Sequence, residues 1–148
     1  MSDHDDALTA PTAFRYQKPE LDRSKRVVVL GRTDRLLCMV HVVKEGGENN
    51  LHSHPHTDGM WIVLRGRVRF YGDNDEVLGE FGPHEGMFMP RGSRYRFEII
   101  GDEELEIMAA QAFDVSMPTI QAIMDDRVNH ATMHLSPHDV PRSGAAVH

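Results

Sequence analysis

Two histidines separated by one residue, in Leu51-His52-Ser53-His54, are the residues of this chain best placed to do chemistry. Side chains two apart on a strand point to the same face, so His52 and His54 can converge on one point. Paired imidazoles are a common arrangement for holding a divalent transition metal. The competing reading is a pair of surface histidines on a loop edge, since Asn50, Ser53 and Pro55 are turn formers. If both rings point into an apolar interior they need a metal, water or polar partners, because an unpaired buried polar group costs about 1 to 3 kcal/mol.

The elements that must carry these residues are strands. From Arg26 the chain becomes a series of short β-branched and aromatic runs punctuated by Gly, Asp, Asn and Pro, the pattern of an all-β sandwich or barrel. Strands are expected at 26–30, 36–43, 60–64, 67–71, 77–81, 87–89, 95–99 and 105–109. Gly72-Asp73-Asn74-Asp75 tolerates positive φ and predicts a hairpin between 67–71 and 77–81; Pro90-Arg91-Gly92-Ser93 predicts another reversal between 87–89 and 95–99. In Arg94-Tyr95-Arg96-Phe97-Glu98-Ile99 the odd positions are apolar or aromatic, which turns Tyr95, Phe97 and Ile99 inward. Trp61, Val63, Phe70, Met89 and Phe97 are candidates to line an interior pocket for an apolar or aromatic ligand, although each also serves as plain core. Met60-Trp61-Ile62-Val63-Leu64 is apolar at every position, an argument for burial of both faces and for a homodimer.

Composition narrows the classes. A chain of 148 residues suits one domain with a hydrophobic core of its own. A net charge of −7 disfavours nucleic acid as a partner, and the arginines at 65, 67 and 69 and at 91, 94 and 96 alternate with other residues as the wet side of a strand does. The single cysteine, Cys38, sits in an apolar run and reads as a small hydrophobe. There is no pattern of a secretory signal and no apolar run long enough to cross a bilayer, so the expectation is a cytoplasmic protein with no membrane partner. Residues 1–12, acidic and poor in large hydrophobes, are expected to form a flexible arm, 13–112 the barrel, and 113–148 a helical segment and tail. In that last part Ser116 caps a stripe of Met117, Ile120, Ile123, Met124 and Val128 at helical spacing; His130, His134 and His138 follow, with Pro137 interrupting any helix.

Gly46, His52, His54 and Gly66 stand in the register of the first motif of the cupin superfamily, and Pro90 and Gly92 in that of the second. Over about Gly46 to Ala109 the chain therefore resembles a cupin. The resemblance implies a jelly-roll β-barrel, a double-stranded β-helix, here with a short C-terminal helical extension. It also implies a metal held by the two motif-one histidines, a glutamate and a motif-two histidine. Here Gly59 stands at the glutamate position and Tyr95 at that of the second-motif histidine, while His84 and Ile99 replace a glycine and an asparagine.

A third ligand is then sought among Asp58, His56, Tyr95 and His41. Asp58 lies one residue before the lost glutamate, and a carboxylate beside two imidazoles suits Fe, Zn, Mn or Ni. Tyr95 can serve as ligand or as general acid and base. The expectation is a metal-dependent cupin enzyme of isomerase, cyclase, lyase or dioxygenase type acting on a small organic molecule. The metal is held by His52, His54 and Asp58, Tyr95 is catalytic, and Trp61, Phe97 and Met89 face the substrate. A cupin that binds a small ligand without turnover is the alternative.

Overall fold

The computed structural model describes residues 7–45, 50–114, 116–118, 122 and 125–127. Its strands are β1 (Lys25–Arg32), β2 (Leu36–Val43), β3 (His52–Ser53), β4 (Thr57–Arg65), β5 (Val68–Tyr71), β6 (Val77–Phe81), β7 (Gly86–Met89), β8 (Arg96–Ile99), β9 (Leu105–Phe113) and β10 (Asp126–Arg127). They form a five-stranded sheet in the order β1-β2-β9-β4-β7, a three-stranded sheet β6-β5-β8, and the small pair β10-β3. All these pairings are antiparallel. The two larger sheets close face to face, and their alternating inner residues build one core that includes Val27, Val63, Val68, Phe70, Phe97 and Ile107. This is the all-β barrel that the strand pattern implied, in the jelly-roll form that the cupin resemblance implied.

The Gly72 turn behaves as its residues dictate. Asp73–Asp75 makes a single 3-10 turn with Asn74 and Asp75 at positive φ, and β5 and β6 pair across it. The Pro90 turn is different. Ser93 N–H closes it on Pro90 O at 3.0 Å, but β7 bonds to β4 and β8 to β5, so the turn carries the chain from one sheet to the other instead of joining a hairpin. At the motif glycine Gly66, φ is +86°, and a Cβ there would lie 2.9 Å from Glu104 O; the close approach of these two backbones needs a residue without a side chain.

On the outer face of the smaller sheet Arg69 sits between Glu80 and Glu98, with Nε 2.7 Å from Glu80 Oε2. Arg96 and Arg94 pair with Asp75 and Asp73. These arginines are thus neutralised by carboxylates on their own side of the barrel. At the N-terminal end, Leu8 N–H donates to Arg32 O at 2.7 Å and Tyr16 O–H to Glu106 Oε1 at 2.7 Å. Burial and the Glu106 carboxylate both push the Tyr16 phenol pKa upward.

The helix expected over Met117 to Val128 falls mostly outside the described residues. Within them, Ala122 is fully buried and its N–H donates to Pro118 O at 3.0 Å, the spacing of one helical turn. Asp126–Arg127 then returns as a strand against His52–Ser53. His130, His134 and His138 also lie outside the described residues. No helix among the described residues is long and apolar enough to cross a membrane.

Candidate metal centre

The histidine pair is positioned from both sides. The backbone of His52 exchanges two hydrogen bonds with Tyr95, at 3.0 and 2.9 Å, and His54 O accepts from Gly92 N–H at 3.0 Å. A strand of two residues would not hold itself, so the tightly turned second-motif segment and β10 fix it. The His52 ring is buried, and its Nδ1 lies 2.6 Å from Asn50 O. A carbonyl can only accept, so Nδ1 carries the proton and Nε2 keeps the lone pair that a metal requires. The two rings stand nearly perpendicular with centroids 5.0 Å apart.

The third residue brought to the pair is Asp125. One ligand atom from each of His52, His54 and Asp125 falls within 4.8 Å of the other two. The register explains this: Asp126 opposes Ser53 and Arg127 opposes His52, so the next position back sets Asp125 across from His54. Asp58 is not brought to the pair. It is exposed on the outer face of β4, where Arg91 engages it through the backbone N–H at 2.9 Å and through Nη2 at 3.0 Å. These bonds from Arg91 pull its carboxyl pKa down. Parity is the reason, since Thr57, Gly59, Trp61 and Val63 take the inner face of this strand and leave Asp58 outside. His56 likewise stays out of the three-donor group.

Tyr95 is 2 % exposed and lies over His52 with ring centroids 4.5 Å apart. Its hydroxyl accepts from Trp61 Nε1 at 3.2 Å, which holds the phenol in place. Trp61 and Met89 line a recess together with His54, Thr57, Tyr95 and Gln111. Phe97 does not reach it. It is fully buried and supports the recess from behind, packed on Trp61 and Phe70.

Two further inner residues carry chemistry: His41, a candidate third ligand whose direction the sequence did not give, and Gln111, which the sequence reading passed over. His41, on β2, turns into the barrel with its ring edge on Trp61, centroids 5.0 Å apart. Part of the residue keeps some exposure, yet both ring nitrogens are buried and have no hydrogen-bond partner among the described residues. Burial first, then the neighbouring charges of Lys25, His52 and His54, hold its pKa well below the ordinary 6.5, so it is neutral at neutral pH. Gln111 occupies an inner position of β9, and strand alternation from Leu105 would have placed it there.

A barrel of this topology, with a histidine pair on the strand that enters it, defines a double-stranded β-helix protein with a candidate metal centre. The Cupin domain family matches residues 39–111, and the chain belongs to the cupin superfamily. No curated protein sequence matches it. Among solved structures it is similar to a conserved Klebsiella pneumoniae protein with a double-stranded β-helix domain, at 21% identity and TM-score 0.58, over 66% of this chain and 78% of that one. It is also similar to the cupin domain of Schizosaccharomyces pombe Cnp3, at 18% identity and TM-score 0.58, over 66% and 71% of the two chains. KdgF from a Halomonas species aligns at 13% identity and TM-score 0.59, over 71% and 96%. Likeness at these identities speaks for the fold alone.

Proposed function

We propose that this cupin is a metal-dependent enzyme acting on a small organic molecule, with His52, His54 and Asp125 holding a divalent transition metal. The observation that carries the reading is the convergence of two imidazoles and one carboxylate beside a recess walled by Trp61, Met89 and Tyr95. The donor set fits the group. Two nitrogens and a carboxylate oxygen suit Fe, Zn, Mn or Ni, and the Asn50 contact sets the His52 tautomer that ligation needs. Donors sharing one such ion stand about 3 to 4 Å apart, so the observed grouping asks for only a small contraction.

When bound, the metal supplies a Lewis acid that polarises a substrate oxygen. The chain's own residues do the rest. Trp61 and Met89 offer apolar walls to the substrate body and exclude water. Tyr95, pinned by Trp61 Nε1, presents a phenol proton at the edge of the recess, where it can be donated to or recovered from a bound oxygen. Isomerase, cyclase, lyase and dioxygenase chemistry all begin from such a site, and the fold does not choose among them.

Metal analysis of untagged protein tests the reading. Near-stoichiometric metal is expected in the wild type, with loss in His52→Ala/His54→Ala; absence of metal after metal-supplemented growth refutes it. A second reading, capture of a small ligand without turnover, draws on Gly59 and Tyr95 standing where the cupin motifs have a glutamate and a histidine. Metal bound without turnover of any substrate that the recess admits would favour it.

The homodimer expected from Met60–Leu64 belongs to the same proposal. Met60, Ile62 and Leu64 take the outer face of β4, in register with Phe88 of the edge strand β7 and with Met108 and Ala110 of β9. Phe88 is 78% exposed, an unusual cost for a phenylalanine facing water. Light scattering on the wild type and on Phe88→Glu reads the outcome: a dimer that the variant breaks supports it, a wild-type monomer sinks it.

A further inference from the structure

Gln111 is the polar exception on an apolar wall. On the inner face of β9 its neighbours along the strand are Ala109 and Phe113, and the residues across from it are Leu37 on β2 and Gly59 on β4. It is 6% exposed, and its Oε1 has no hydrogen-bond partner among the described residues. The side chain lines the same recess as His54, Thr57, Trp61 and Tyr95. A buried carbonyl left unpaired loses its hydration and gains nothing, so an apolar residue of similar volume would sit here at lower cost. The amide is explained if something that enters the recess completes it.

The space beside the amide points the same way. A Cβ on Gly59 would meet Ala110 O at 3.7 Å and Gln111 Cγ at 3.9 Å, ordinary contact distances. The glycine is therefore not forced by crowding or by its backbone angles; what it contributes is room next to Gln111. Met89, paired with Gly59 on the inner face and unbranched enough to adapt, flanks that room. None of the lining residues is lysine or arginine, and Arg91 at the rim is engaged by Asp58. Beside the amide, an uncharged hydroxyl finds an acceptor.

We infer that Gln111 is the specificity-determining residue of this site, its side-chain carbonyl receiving the hydroxyl of a small hydroxy-carbonyl ligand whose carbonyl oxygen turns toward His52, His54 and Asp125. The orientation of that ligand rests on the metal reading proposed above. A site built around a hydrogen bond rejects the analogue that lacks the group far more strongly than an apolar pocket rejects a missing methylene.

Hydroxyacetone and 2-butanone differ by a hydroxyl in place of a methyl and serve as the probes. Their binding is measured by ligand-observed NMR on the full chain supplemented with zinc, in the wild type, Gln111→Met and Gly59→Ala. The wild type is expected to prefer hydroxyacetone by about tenfold or more, and Gln111→Met to bind the two within about twofold of each other. Gly59→Ala, which keeps the amide but fills the room beside it, is expected to weaken hydroxyacetone. Metal content and melting temperature of Gln111→Met should match or exceed the wild type. A zinc-loaded wild type without preference, or with no saturable binding of either probe, overturns the role of Gln111 and leaves the metal reading intact. So does a preference that survives in Gln111→Met, or a melting temperature that falls by more than about 5 °C in that variant, which would mark the amide as structural. A wild type that takes up no metal overturns the metal reading, and the ligand orientation with it.

Discussion

Acidification should weaken the metal-free protein through His41 by an amount that can be set in advance. The folded state holds this imidazole neutral, with a pKa well below 6.5, because its nitrogens are buried and Lys25, His52 and His54 add unfavourable charge. The unfolded chain takes up the proton first as pH falls, so the stabilisation from a neutral His41 is complete above about pH 6.5 and drains away below it. With the folded pKa far down, the slope approaches about 1.4 kcal/mol per pH unit, and between pH 7.5 and 5.5 the loss integrates to about 1.4 kcal/mol. Urea unfolding in the presence of a chelator, at both pH values, measures it against His41→Leu, which fills a similar volume and cannot titrate. The wild type should lose about 1.4 kcal/mol more than the variant over this interval. Equal losses in the two proteins would show that the ring accepts a proton in the folded state as easily as in water, and the account of its environment would fail.

Asp58 and Asp125 separate cleanly by mutation: Asp58→Asn should leave metal content unchanged because its carboxylate serves Arg91, whereas Asp125→Asn should lower it, both read by elemental analysis. Tyr95→Phe removes one hydrogen bond from Trp61 in a buried site and should cost about 1 kcal/mol in chemical denaturation, with near-normal metal content. Trypsin cleavage after Arg127 should slow when metal is added to the wild type but not to Asp125→Asn, since only the former couples β10 to the histidine pair; identical rates would argue against Asp125 as a ligand.

The fold was legible because its strands are written as short β-branched and aromatic runs between turn formers, with clear alternation in some of them. Residues 94–99 show this best: Tyr95 and Phe97 are buried as parity required. Turn chemistry was legible where one turn joins adjacent strands, as at Asn74, and misleading at Pro90, because a local sequence encodes a reversal and says nothing about which sheet receives the next strand. His41 was unreadable for a physical reason. Val40 and Val42, on the opposite face of β2, are as buried as the inner residues, so no contrast marks the direction of the ring. Gln111 was missed because the strand was expected to stop at Ala109, two residues short of it; the observed β9 continues to Phe113.

The placing of Asp125 gives the site its logic. At Gly59 the first motif has no side chain at all, and Asp58 beside it faces outward, so β4 cannot deliver a carboxylate to the histidines. The carboxylate that does stand near them comes from a stretch that follows the last barrel strand and returns as β10 to pair with β3. No spacing rule within the barrel could have pointed to it, because its proximity depends on that late pairing alone. On the sheet of β4 and β9, the absence of a side chain at Gly59 leaves space beside its paired neighbour Gln111, whose Cγ would lie 3.9 Å from a Cβ there. On the reading proposed above, the departure from the motif glutamate and the unpaired amide belong to one arrangement: the acidic donor comes from the C-terminal segment, and the space beside Gly59 receives the ligand.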